Sequence, residues 1–287
     1  MENYSFMTII VIGPIAKDFI INGDLKLSKI GGPIYFQSFI FEKYYDDYLI
    51  IANCSDESLI NKFPNIDKVR LILKDDTHCF VNYYPDCDNL DIRHQLSNFA
   101  NIPITKEDLD EILSEVENIE AFIINPLNSF DFPKDTINYI KSFKKPIFIS
   151  GQGFLRQASD KIDEIYYSIS LKSNRDIEEI LYGTDMLFLD EDESKIIFKN
   201  NNYSKFDISE IIITNASKGS RVISDREYDI QPVKNSNIVD STGCGDIFMA
   251  AYISKKLTSK SLIESANFAS KLASNKLSVS GPLNPNK

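Results

Sequence analysis

The sequence predicts an α/β fold: a doubly wound, mostly parallel central sheet with helices on both faces, and a few strands that stand outside it. Three observations lead there. Short apolar runs recur at 8–13, 48–54, 121–125, 146–150, 186–189 and 211–214. They lack the alternation of a strand with one wet face, so they read as strands buried on both sides. Apolar residues at helical spacing fall between them, as in Leu109, Ile112, Leu113 and Val116, or Ile137 and Ile140. Helices alternating with buried strands imply parallel pairing.

The first run, 8–13, closes on Gly13-Pro14, a strand turning into a loop. Residues 19–24 end in a turn signal and suggest a hairpin outside the main sheet. Pro33, after Gly31-Gly32, suits the first turn of a helix carrying Ile34, Phe36, Phe39, Ile40 and Tyr44. Strands follow at 48–54 and 69–73. The aromatic stretch 77–84 is a further strand, and 91–96 continues beyond a polar turn, with Arg93 and Gln95 as side chains able to reach a ligand. Beyond 106 the helix–strand alternation becomes regular. Asn125 and Ser150 stand at carboxyl ends of strands, where ligands of such sheets sit, and 151–156 reads as a loop beside them. Residues 165–172 read as an edge strand, 176–181 as a helix, and 186–189 as a strand ending in the acidic cluster Asp190 to Glu193. That cluster is either a solvated cap or a magnesium locus. A hairpin at 221–223 and 227–230 follows the strand 211–214. A last helix, 261–276, presents Leu262, Ala266, Ala269 and Leu272 on one face.

Composition narrows the function. The 287 residues are 43% hydrophobic and 25% charged, ordinary for a globular chain. With 42 acidic against 31 basic residues, the net charge of -11 argues against nucleic acid or an anionic membrane as partner. Cys54, Cys79, Cys87 and Cys244 form no CxxC pair, and no signal-peptide pattern precedes them, so free thiols and a cytoplasmic location are expected. His78 and His94 have no partner at metal-ligand spacing, which disfavours a zinc site or a Ser-His hydrolase.

The chemistry concentrates in Asp240-Ser241-Thr242-Gly243-Cys244-Gly245-Asp246, which runs into the apolar stretch 247–253. Two glycines let backbone approach a ligand, and the free N–H groups of the helix behind them make an anion site with Asp246 at its mouth. A fixed carboxylate beside an anion hole suits phosphoryl transfer to an alcohol. A dinucleotide fingerprint fails, because Phe248 holds the third glycine position.

This stretch resembles the D-[ST]-x-G-[AC]-G-D signature of the ribokinase-like carbohydrate kinases, the PfkB family. The resemblance implies a single domain over 1–287 with a β lid formed by about 18–30 and 77–98, and lid strands that pair between subunits in a homodimer. It implies ATP as donor and Mg²⁺ as cofactor, with a monovalent cation possible near Asp240 and Thr242. Asp246 becomes the catalytic base, and the amides of Gly243, Cys244, Gly245 and Asp246 the anion hole. Asp18 is placed to bind acceptor hydroxyls and Gly31-Gly32 to hinge the lid; Asn125, Gln152 and Arg156 join the substrate side. The stretch 152–156 is similar to a myo-inositol kinase branch, which favours a sugar or cyclitol acceptor. A nucleoside kinase, or a binding relative without turnover, are the alternatives. Asp190-x-x-Glu193 matches the family's Asn-x-x-Glu, which assigns Glu193 to Mg²⁺ through water and Asp190 beside it. Thr214, Lys218 and Gly219 match the nucleotide loop, with Ala216 where its first glycine falls. The family's Asn after the diglycine is absent, and Gln37 stands near that place.

Overall fold

The computed structural model describes residues 7–22, 25–84 and 94–284. In chain order it forms β1 (Thr8–Pro14), β2 (Ala16–Asn22), β3 (Leu25–Gly31), α1 (Pro33–Tyr44), β4 (Tyr48–Cys54), β5 (Val69–Leu73), β6 (His78–Tyr84) and β7 (His94–Ser97). Then come α2 (Lys106–Leu113), β8 (Ile119–Ile124), α3 (Lys134–Ser142), β9 (Ile147–Ser150), α4 (Gln152–Leu155), β10 (Arg156–Lys161) and β11 (Tyr167–Leu171). The last part holds α5 (Ile177–Leu181), β12 (Met186–Asp190), α6 (Glu191–Ile197), β13 (Glu210–Thr214), β14 (Ser220–Ile223), β15 (Glu227–Ile230), α7 (Cys244–Ser259) and α8 (Leu262–Leu277).

Nine strands form the main sheet in the order β15-β14-β13-β12-β9-β8-β1-β4-β5. From β13 to β5 every pairing is parallel, and the antiparallel pairings are β13–β14 and the β14–β15 hairpin at one edge. The period of two along each strand sorts the core. Ile9 and Val11 of β1 face the cluster that holds Ile247 to Ile253 of α7 and Ala266, Ala269 and Leu272 of α8. Ile10 and Ile12 face Leu109 and Leu113 of α2 and Ile137 and Ile140 of α3 on the other side. Both faces of the strands are therefore apolar, which accounts for their unalternating sequence.

Chain order reverses at β1: β4 and β5 lie on one side of it, β8 and its successors on the other. This is the switch point where the loops at the carboxyl ends diverge and leave a crevice. The chain leaves β1 at Pro14 and enters a second, six-stranded sheet, ordered β10-β11-β7-β6-β2-β3. It returns through Gly31-Gly32 into α1, so the second sheet is entered from the carboxyl end of β1, the strand at the switch point.

Two sequence expectations change. Residues 151–156 are not a loop, since 152–155 form the short helix α4 and Arg156 opens β10. The strand around 165–172 is no edge of the main sheet; β11 pairs with β10 and β7. These polar strands extend the second sheet beyond 18–30 and 77–98, because Arg156 is buried against the Phe80 ring, 5.4 Å from its centroid, where a solvated edge strand would leave it in water. Arg93 lies outside the described residues. Gln95 donates to the Asn82 side chain at 2.9 Å.

Candidate active site

The turn before α7 is built by side chain and glycine together. Asp240 Oδ1 accepts from the Thr242 amide at 2.9 Å, and Gly243 then takes φ 80, the left-handed conformation that glycine adopts without penalty. Close approach demands glycine there as well, since a Cβ would stand 2.4 Å from Cδ1 of Phe36 on α1. The Cys244 amide turns back onto the Ser241 carbonyl at 3.2 Å, and Ile247 N–H closes the first helical bond on the Gly243 carbonyl at 2.9 Å. Cys244 therefore spends its amide inside the turn, while Gly245 and Asp246 present theirs in the first helical turn. Around Gly245, which is exposed, a Cβ would meet nothing within 4 Å, so the start of α7 is uncrowded on that side. The Cys244 side chain points away from it, its Sγ 3.7 Å from the Ala273 carbonyl, and burial pushes the thiol up to about 11.

Asp246 is half-buried, and its carboxyl is pushed up to about 7, chiefly by burial. The Arg156 charge pulls it down and the Asp18 carboxylate pushes it up, so three residues 228 positions apart in sequence share one field at the crevice mouth. Asp18 lies on β2, 8% exposed, opposite Phe80 on β6. Gly31 makes room for it: a Cβ there would stand 2.2 Å from Asp18 Oδ2. Gly32 at φ 95 then starts α1.

Glu193 closes the cluster from α6. It is buried, with its carboxyl pushed up to about 7 by burial first and then by Asp190. Its Oε2 accepts from the Asp190 amide at 2.8 Å while Asp190 Oδ1 accepts from Asp192 and Glu193 amides, a reciprocal cap of α6. A hydrogen bond with Gln152 and the Arg156 charge link Glu193 to α4 and the start of β10. Asp190 is thus engaged as the cap. Among the described residues no three His, Cys, Asp or Glu side chains gather to hold a metal. A Mg²⁺ that keeps most of its waters needs only one or two carboxylates, and the buried Glu193 beside Asp190 is of that chemistry.

Asn125 and Gln37 pair amide to amide at 2.8 and 3.0 Å, both fully buried. The Asn125 side chain is taken up by Gln37, so both amides are spent on this buried pair. In the loop after β13, the Thr214 hydroxyl donates to the Leu189 carbonyl at 3.3 Å, Lys218 is exposed, and Gly219 takes φ 97. Ala216 takes φ 44, a positive value in place of the glycine the motif carries.

The fold is thus an α/β sheet with its switch point at β1 and a carboxylate, Asp246, in the first turn of α7. The chain belongs to the pfkB family of carbohydrate kinases, whose sequence profile matches residues 140–287. No curated protein matches it. A pyrophosphate-dependent kinase in the ribokinase family, in a sulfate complex, superposes with a TM-score of 0.79 at 22% identity, covering 96% of this chain and 97% of that one. A pyrophosphate-dependent kinase of that family with a pyrophosphate analogue and myo-inositol gives 0.76 at 22% identity, over 96% and 97%. Ribokinase from Arabidopsis thaliana, with ribose and ATP, gives 0.70 at 17% identity, over 96% and 94%. These likenesses establish the fold. Among the described residues no helix is long and apolar enough to cross a membrane.

Proposed function

We propose that this chain moves a terminal phosphoryl group from ATP to a hydroxyl of a small sugar or cyclitol, myo-inositol first among the acceptors, with Asp246 as general base. The observation that carries the reading is the half-buried Asp246 carboxyl in the first turn of α7, beside the uncrowded, exposed Gly245 and in the shared field of Asp18 and Arg156. Asp18 binds acceptor hydroxyls over the bare backbone of Gly31, and Gly32 and Gln152 border the same space. Asp246 takes the proton of the attacking hydroxyl. The Gly243, Gly245 and Asp246 amides bear the charge of the transferred group, worth several kcal/mol when such donors are fixed in advance. Thr214, Lys218 and Gly219 line the donor's nucleotide part. A Mg²⁺ bound here would supply charge neutralisation for the donor's phosphate oxygens, and Glu193 is the side chain that would hold it through its waters.

Pyrophosphate as donor is the second reading. Ala216 in the positive-φ position of the nucleotide loop favours it, together with the two pyrophosphate-dependent kinases of the same fold. The test offers ATP or pyrophosphate with Mg²⁺ to the purified protein, against myo-inositol, ribose, adenosine and cytidine, and follows phosphorylated product by ³¹P NMR. Product from ATP and myo-inositol or ribose supports the proposal. Product from pyrophosphate alone selects the second reading, and nucleoside products move the acceptor class. Thermal shifts without product from any pair overturn the kinase reading.

A further inference from the structure

Lys276, in the last turn of α8, is fully buried. An isolated ammonium in the interior is costly, so its partners show what it does. Its Nζ donates to the Asp240 carbonyl at 2.8 Å and the Val279 carbonyl at 3.1 Å, and lies 3.8 Å from Asp240 Oδ2. The same Asp240 carboxylate accepts the Thr242 amide through Oδ1 and the Gly281 amide, at 3.1 Å, through Oδ2. The Val239 and Asp240 amides are tied to the Leu277 carbonyl at 2.7 and 3.2 Å. The turn that leads into the anion site is thus wrapped around one ammonium group.

Two carbonyl oxygens and a carboxylate turned inward form a set that asks for one positive charge. It lies beside Asp240 and Thr242, the place where the family resemblance leaves room for a monovalent cation. A free ion does not fit there, because the chain fills the position with its own amine. Lys29 of β3 adds a second positive charge, 3.7 Å from Asp240 Oδ2, with its Nζ on Ser280 Oγ at 2.8 Å. Burial pushes Lys276 down while Asp240 holds it up, and Asp240 itself is lowered, against its burial, by the Thr242 and Gly281 amides and the Lys276 charge.

We propose that Lys276 is a tethered monovalent cation: it positions the 240–243 turn, and the protein therefore needs no added K⁺, Na⁺ or NH₄⁺. The proposal rests on the reading of residues 243–246 as the donor-phosphate site, but its test does not depend on turnover. The thermal midpoint and, where product forms, kcat and KM for the donor are measured for the wild type in KCl and in tetramethylammonium chloride at equal ionic strength. Lys276→Ala and Lys276→Met are measured in the same salts, and in methylammonium chloride and NH₄Cl.

The wild type is expected to keep the same midpoint and a KM within about twofold in both salts. Lys276→Ala is expected to raise the donor KM by about tenfold or more, the worth of a charge-assisted hydrogen bond, and to recover midpoint and KM with saturation in methylammonium, NH₄⁺ or K⁺. Lys276→Met, which fills the space without charge, is expected to stay impaired. A wild type that is stabilised or activated severalfold by K⁺ over tetramethylammonium overturns the proposal. So does a Lys276→Ala protein that behaves as wild type or responds to no cation. Should both variants fail to fold, the wild-type comparison decides alone. A protein inactive with every donor, yet with cation-responsive melting only in Lys276→Ala, sinks the kinase reading and leaves this one standing.

Discussion

The protonation of Asp246 sets a measurable pH dependence. Its carboxyl stands at about 7 against an ordinary 3.8, and a general base works only when ionised. At pH 5 such a group is ionised to only about 1%, against about 90% at pH 8, so kcat/KM falls about tenfold per pH unit below 7 and rises about 100-fold across that range. An aspartate at its ordinary value would already be more than about 90% ionised at pH 5 and would leave the rate nearly flat. The assay is kcat/KM for the acceptor at a fixed donor concentration well below its KM from pH 5 to 9, with product quantified directly by ³¹P NMR, because under those conditions the profile reports the free enzyme. The neighbours fix the direction of two controls. Arg156→Met removes the charge that holds Asp246 down, so the limb moves to higher pH; Asp18→Asn removes the one that pushes it up, so the limb moves to lower pH. Glu193 is also raised to about 7, and Glu193→Gln separates the two: the limb persists if Asp246 is the base. A profile flat from pH 5 to 7, or a limb that vanishes with Glu193→Gln and ignores Arg156 and Asp18, refutes the reasoning.

Other perturbations follow from the backbone. Ala216 at φ 44 carries about 1 kcal/mol of left-handed strain, which Ala216→Gly relieves at the expense of a more flexible unfolded chain. The expected net is a gain of about 0–1 kcal/mol, or up to about 2–4 °C in midpoint by calorimetry, and a loss beyond about 1 kcal/mol contradicts it. Gly31→Ala places a Cβ 2.2 Å from Asp18 Oδ2 and must displace that carboxylate. Acceptor KM should rise by about tenfold or more, the value of one charged hydrogen bond, with donor KM unchanged; an unchanged acceptor KM removes Asp18 from the acceptor site.

The parallel core was legible because strands such as β1 and β13 are buried on both faces and carry unbroken apolar runs, Ile9 to Ile12 and Ile211 to Ile213. The α7 start was legible too, since glycine at φ 80, a first-turn carboxylate and an apolar helix leave few alternatives. What stayed hidden depends on partners far away in the chain. The strand 156–161, Arg-Gln-Ala-Ser-Asp-Lys, has no apolar alternation, and only its pairing with β11 and the burial of Arg156 against Phe80 make it part of the second sheet. The Gln37–Asn125 pair joins residues 88 apart, and no local pattern announces such a bond. Lys276 did leave a trace: it follows Leu262, Ala266, Ala269 and Leu272 at helical spacing, so a lysine falls on the buried stripe of α8, where only an internal anion or carbonyl set would tolerate it.

The most direct test of phosphoryl transfer through residue 246 is Asp246→Asn, assayed for turnover and for acceptor binding together. The substitution removes a carboxyl whose burial opposes its charge, so the variant folds and, above pH 7, melts no lower than the wild type. Turnover is expected to fall by about 10²-fold or more while the acceptor still binds by calorimetry. A variant that turns over at near the wild-type rate contradicts the assignment of Asp246 as the base and, with it, the account of this site.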